Sequence, residues 1–252
     1  MGQVGAGVAH LRWIIEQENL ARLAGAAPDL ACQLLAAPQP IVVRGPSGGP
    51  VPHGVRPAEL YTSYAKFSEQ VSRAALPAGA RAVIYDPESW AATPPEERHD
   101  PMRYLALFAA LARANGYQPI LAPGRDLTLT PGGRCAKRPG ERVGEAYVRC
   151  GIPRAAEHAA IFVIQAAPQE LDLPGLRRLV EASSRQARYA NPAAVLIATI
   201  STAPGGVQAD PAAMARAAWT MLPFVHGFML NMTAATTLSA AAFLRALPTR
   251  PD

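Results

Sequence analysis

"AVIYDPESWAATPPEERHDPMRYLALFAALARANGYQPILAPG", residues 82 to 124, contains one complete unit of a repeating plan. It opens with Ala82-Val83-Ile84-Tyr85, a short apolar run with the β-branched and aromatic residues that favour strands. Asp86-Pro87-Glu88 ends that run in acid. Asp100-Pro101 then reads as a helix cap followed by proline at the first helical position. Leu105, Phe108, Ala109, Leu111 and Ala112 recur at helical spacing, and Asn115-Gly116 closes the helix. Pro119 to Gly124 begins the next strand. Strand, loop, helix, strand is the crossover that a parallel pair requires.

The plan repeats along the chain. Comparable runs start at Ile41 (IVVRG), Ala82, Pro119, Ile161 (IFVIQA), Val195 (VLIATIST) and Gly227 (GFMLNM), with room for a helix between each pair. Pro57, Pro174 and Asp210-Pro211 read as further helix openings. The runs are almost continuously apolar, as strands buried on both faces must be. The expected fold is therefore α/β, a (β/α) TIM-like barrel forming a single domain over residues 1–252. Six strands are legible where eight would complete the usual barrel, so one or two are missing, disguised or replaced; an N-terminal helix over about residues 7 to 24 precedes them. Residues 126 to 158 break the rhythm with a Gly- and Pro-rich excursion of the kind that forms functional lids.

At 252 residues and 50% hydrophobic content, the chain can bury a large core. Its basic excess rests on 22 Arg and two Lys, Lys66 and Lys137. The Arg residues are scattered and do not alternate with aromatics, so nucleic acid is not an expected partner. Cys32, Cys135 and Cys150 are odd in number and lack C-x-x-C spacing, which indicates neither a disulfide framework nor a zinc site. No apolar stretch reaches the length of a membrane span, and no leader pattern opens the chain. The expected setting is cytoplasmic, with a small-molecule substrate as partner and no membrane; nothing in the pattern fixes an oligomeric state.

In barrels of this type ligands bind beyond the carboxyl ends of the strands. Those ends read Arg44, then Asp86 and Glu88, Arg125 and Asp126, Gln165, Thr199 and Ser201, and Asn231. Alternation pairs Val42 with Arg44, Ile84 with Asp86, Val163 with Gln165, Ile197 with Thr199 and Met229 with Asn231. One face is thus apolar low in each strand and polar at its tip. Asp86, Glu88, Gln165 and Asn231 are expected to converge.

The motifs VIYDPESW, TPPEERHDP, NGYQPILAPG, FVIQA, ANPAAVLIATIST and GFMLN, within about residues 40 to 232, carry a resemblance to an uncharacterised family of bacterial barrel proteins. The topology of that family is similar to glycoside hydrolases of the TIM-barrel type. The resemblance implies a barrel.

The chemistry is read from the acids. Asp86 and Glu88 lie two residues apart, roughly 6.5 Å along an extended strand. Glu88, nearer the mouth, is the expected acid or base, with Asp86 beside it to orient it or to share a Mg²⁺. Arg44 and Arg125 suit an anionic group on the substrate. Gln165, Ser201, Asn231 and Trp90 complete the expected substrate contacts, and His53 or His99 is within reach on neighbouring loops. The first reading is a lyase or cyclase of specialised metabolism acting on a partly apolar anionic molecule such as a prenyl diphosphate. The chain has no aspartate-rich metal motif. The alternatives are a glycoside-hydrolase-like hydrolase and a non-catalytic barrel that binds a metabolite or partner. Gly45 to Gly49 matches G-x-S-x-G around Ser47, but Pro50 and Pro52 deny it the helix that a nucleophile elbow needs.

Overall fold

The computed structural model describes residues 8–44 and 51–248. The Ser47 motif lies outside them. Eight strands close into a parallel barrel in sequence order: β1 (Arg12–Glu16), β2 (Ile41–Val43), β3 (Arg56–Tyr61), β4 (Ala82–Tyr85), β5 (Gln118–Leu121), β6 (Ile161–Ile164), β7 (Val195–Ser201) and β8 (Gly227–Asn231). The helices that alternate with them are α1 (Gln17–Ala26), α2 (Pro28–Leu35), α3 (Tyr64–Ser72), α4 (Pro95–His99), α5 (Pro101–Ala114), α6 (Val143–Arg149), α7 (Leu173–Ala190), α8 (Pro211–Met221) and α9 (Thr237–Ala246). This is a (β/α)8 barrel.

Two strands depart from the sequence reading. The expected N-terminal helix over residues 7 to 24 begins only at Gln17, because Arg12–Glu16 is β1. Trp13, Ile14 and Ile15 are buried, and they pair on both sides, with β2 and with β8. Full burial between two neighbours outweighs the helical period that RWIIE shares with the residues after it. Pro57 was read as a helix opening but lies in β3. The helix starts at Tyr64 instead, where the Ser63 hydroxyl accepts from Lys66 N–H (3.2 Å). Asp100 stands at the N-cap of α5 but makes no side-chain cap bond, its carboxylate pairing with Arg134 instead (3.3 Å). Asp210 accepts from Ala213 N–H at the start of α8, and Gly116 takes φ +77° after α5.

The chain forms two compact units. In the first (1–57, 166–180 and 197–252), β1 pairs with β2 and β8, and β8 pairs with β7. Gly227 opens β8 so close to β1 that a Cβ there would land on the Arg12 backbone. In the second (58–165 and 181–196), β3, β4, β5 and β6 pair in turn. Tyr61 of β3 and Tyr85 of β4 join Phe67 of α3 and Phe108 of α5 in a ring cluster between the strands and the helices. Phe108 of α5 lies 4.4 Å from Phe67 and stacks on Tyr85 at 4.7 Å.

Candidate active site

Tyr85 decides which way the acids face. Its ring turns outward onto α5, so Ile84 and Asp86, on the opposite parity, turn away from the helix layer. Gln165, at the tip of β6, reaches across the end of β5. Its Nε2 donates to the Ala122 carbonyl (3.2 Å) and to Asp86 Oδ1 (3.0 Å). Backbone pairing continues past the strands, with Asp86 N–H on Tyr61 O, Ala122 N–H on Tyr85 O and Gly124 N–H on Pro87 O, each 2.8 Å. The acids therefore sit on ordered strand extensions.

Asp126 is the third acid here. It lies in a short 3-10 turn (Arg125–Leu129) beyond β5 and returns to the tip of β4, where its Oδ2 accepts from Ser89 N–H (2.9 Å). Its Oδ1 is buried without a hydrogen-bond partner among the described residues. The motif APGRD offered a signal, since a glycine before an acid at a strand end permits close approach. A Cβ on Gly124 would collide with the Asp126 carboxylate and come within 2.8 Å of Glu88 Cγ and 3.1 Å of Pro87 O. Gly124→Ala is therefore expected to cost about 1–3 kcal/mol by overpacking. It should also force Glu88 and Asp126 apart. Thermal melting and carboxyl titration by NMR check this, and an unchanged melting temperature with unchanged titration overturns it.

Three carboxylates now share one site, and burial with like charge raises two of them, Asp86 and Glu88. Asp86 keeps some accessible surface, so it opens on the site. Protein atoms nevertheless enclose it densely enough that desolvation, with Glu88 and then Asp126 nearby, pushes its carboxyl up to about 8. The hydrogen bond from the Gln165 amide pulls the other way, by more than Asp126 adds. Glu88 is half-buried, and desolvation followed by Asp126 raises it too. Its backbone N–H donates to Thr93 Oγ1 (3.1 Å). The donors are the hard oxygens that Mg²⁺ takes, but among the described residues no group of three His, Cys, Asp or Glu is placed to hold a metal ion.

Arg125 is buried beside Tyr147 of α6 and Asp126, within the packing of the 126–158 excursion, and burial lowers its guanidinium. Trp90 is 47% exposed, with its indole N–H on Thr93 Oγ1 (3.2 Å). His99 is exposed, with Nδ1 2.7 Å from Pro95 O, and His53 is exposed as well. Arg44 is half-buried at the end of β2. In the first unit Ser201 and Asn231 are register partners of β7 and β8, and the Ser201 hydroxyl accepts from Ala203 N–H (3.1 Å). Thr199 there is structural, its hydroxyl accepting from both Ala166 and Ala167 N–H. Beside them lies an acid unmarked by sequence position. Glu170 is 3% exposed, with Oε1 on Ser201 N–H (2.6 Å) and Oε2 buried without a partner among the described residues. Burial pushes it up to about 8.

The acid-rich stretch after β4 is explained by a different carboxylate. Glu97 is buried and collects four donors: Ser63 Oγ (3.1 Å) and Ala65 N–H (3.0 Å) on Oε1, and Tyr64 N–H (2.8 Å) and Tyr85 Oη (2.6 Å) on Oε2. It caps α3 from a distance and satisfies N–H groups that the helix itself leaves open.

No family model matches the chain, and no curated protein matches it, so the family resemblance drawn from its motifs has no family model behind it. Solved structures that it is similar to include the following. One is an active-site mutant of Rhizomucor miehei β-1,3-glucanosyltransferase in complex with laminaritriose, at 10% identity and TM-score 0.39, covering 76% of this chain and 74% of that one. Another is a putative dihydrodipicolinate synthetase from Pseudomonas aeruginosa, at 13% and 0.43, covering 94% and 82%. The third is tryptophan synthase subunit alpha from Legionella pneumophila, at 11% and 0.42, covering 95% and 92%. At these scores the likeness adds nothing to what the strand order already establishes. Among the described residues no helix is long and apolar enough to cross a membrane.

Proposed function

We propose that this protein is a small-molecule enzyme performing acid–base chemistry at the tips of β4, β5 and β6, with Asp86 as the proton carrier. One observation carries the reading: a carboxyl open to the site and held by Gln165 (3.0 Å), which burial and two acidic neighbours push up to about 8. A neutral carboxylic acid at pH 7 can donate a proton to a leaving oxygen, which is the demand of an elimination or cyclisation. Glu88, once ionised, takes the complementary role of base. This exchanges the emphasis of the sequence reading, which gave Glu88 the leading part. The substrate class proposed is a partly apolar molecule with an anionic leaving group, prenyl diphosphates included. Trp90, in the loop that follows β4, is a candidate for contact with it.

A second reading has its own observation. Asp126 comes from a different strand end than Asp86 and Glu88, and carboxylates from two strands are what glycoside hydrolysis uses. A panel of prenyl diphosphates, hydroxy acids and nitrophenyl glycosides separates the two. Loss of diphosphate or water supports the lyase, and nitrophenol release supports the hydrolase. With the productive substrate, Asp86→Asn is expected to lower kcat by roughly 10²-fold or more. The wild-type rate should fall as pH rises through about 8, where Asp86 loses its proton. Full turnover by a folded Asp86→Asn protein overturns the assignment.

A further inference from the structure

The excursion between β5 and β6 contains a feature that the sequence concealed. Cys135 and Cys150 have no motif spacing, yet the fold brings their stretches together: Arg149, next to Cys150, donates to the carbonyl of Ala136, next to Cys135, and the Cys150 thiol acts on that of Cys135. Cys150 is the cap residue at the end of α6, and its N–H bonds to Ala146 O (2.8 Å). Cys135 lies in the turn-rich loop before α6 and is 6% exposed. Three bonds hold the two stretches together. Arg149 donates to Ala136 O (3.0 Å), and its guanidinium forms a two-point ion pair with Glu141 (2.7 and 3.0 Å). Both cysteines are reduced in this structure, and Cys32 stands apart as an exposed thiol.

We propose that Cys135 and Cys150 are a thiol–disulfide site that fastens the 126–158 excursion when oxidised. The proposal does not rest on the acid–base reading. The oxidant class is a hydroperoxide or a small-molecule disulfide. With hydrogen peroxide, the Cys150 sulfur attacks one oxygen. An S–O bond forms, the O–O bond breaks, and the departing hydroxide takes a proton to leave as water. The Cys135 sulfur then attacks Cys150. The S–S bond forms, the S–O bond breaks, and the second hydroxide leaves as water with the proton from Cys135. Two thiols lose two electrons and two protons in all, and one peroxide becomes two waters.

Exposure assigns the order. Cys150 is the more open of the two and meets the oxidant first. Cys135 is the resolving partner: burial and the Cys150 thiol push it up to about 12, while Arg149 nearby favours its thiolate. Closing the bond requires the sulfurs to approach to about 2.0 Å. Gly132 and Gly140, both with positive φ, flank the Cys135 loop and can absorb the movement.

The test uses the full chain carrying Cys32→Ser, treated with hydrogen peroxide and, separately, with oxidised glutathione. Expected is an intact mass lower by two hydrogen atoms, a cross-linked peptide joining Cys135 to Cys150, and a melting temperature several degrees higher that dithiothreitol reverses. Cys135→Ser in the same background should instead stop at a Cys150 sulfenic acid or glutathione adduct. Overturning results are two free thiols after treatment that modifies Cys32 in the wild type, or a Cys150 adduct that persists with Cys135 present.

Discussion

Glu97→Gln is expected to lower the melting temperature by roughly 6 to 12 °C, about 3 kcal/mol in a chain of this size. The substitution is nearly isosteric, so the effect comes from hydrogen bonding alone. Each carboxylate oxygen accepts one backbone N–H, from Ala65 or from Tyr64, and one hydroxyl, from Ser63 or Tyr85. An amide has a single oxygen. Whichever way it is turned, its NH2 faces one backbone N–H that has no other acceptor at hand. The hydroxyls can rotate and become acceptors, but the N–H cannot. A charge-assisted bond is lost and a buried donor is stranded, and the two losses add. The Tyr85 phenol, whose titration burial and Glu97 push far upward, should then shift. A melting temperature within 2 °C of wild type would mean that the four donors find other partners, and would remove Glu97 from the scaffold.

Glu97 also shows what the sequence makes legible and what it hides. The strand at Ala82 and the helix at Pro101 could be read because apolar period, Asp-Pro and Asn-Gly all agree locally. β1 and β3 could not. RWIIE continues into a good helical pattern, and RPAELY contains a proline and no β-branched residue, so only their neighbours in the barrel make them strands. The same limit applies to the site. Parity along each strand placed Asp86 after β4 and Gln165 after β6 on matching faces, and the structure joins them across β5. Asp126, Glu170 and the Cys135–Cys150 contact depend on loops folding back, and no spacing rule reports that. Acids such as Glu97 and Asp86 look alike in sequence. They differ in whether donors surround the charge or burial excludes it.

That difference sets the pH dependence of stability. Unfolded, Asp86 and Glu170 ionise near the ordinary carboxyl value of about 4. Folded, burial makes both hold their protons to about 8. Between these values the native state binds more protons than the unfolded chain, so stability falls as pH rises. Their contribution is complete below about pH 4 and gone above about pH 8. The slope per group is at most about 1.4 kcal/mol per pH unit, less at Asp86 where solvent reaches the carboxyl. From pH 5 to pH 8 the wild type is expected to lose roughly several kcal/mol through the two together. Asp86→Asn retains an oxygen for Gln165, and Glu170→Gln retains one for Ser201 N–H, while neither can ionise. Each variant should therefore melt close to wild type at pH 4.5 and above it at pH 8, and the double variant should show the flattest profile. The crossover is the diagnostic feature, because a variant that merely damages packing is less stable at every pH. If both variants track the wild-type slope from pH 5 to 8, the two carboxyls are ionised in the native protein, and Asp86 has no proton to give at neutral pH.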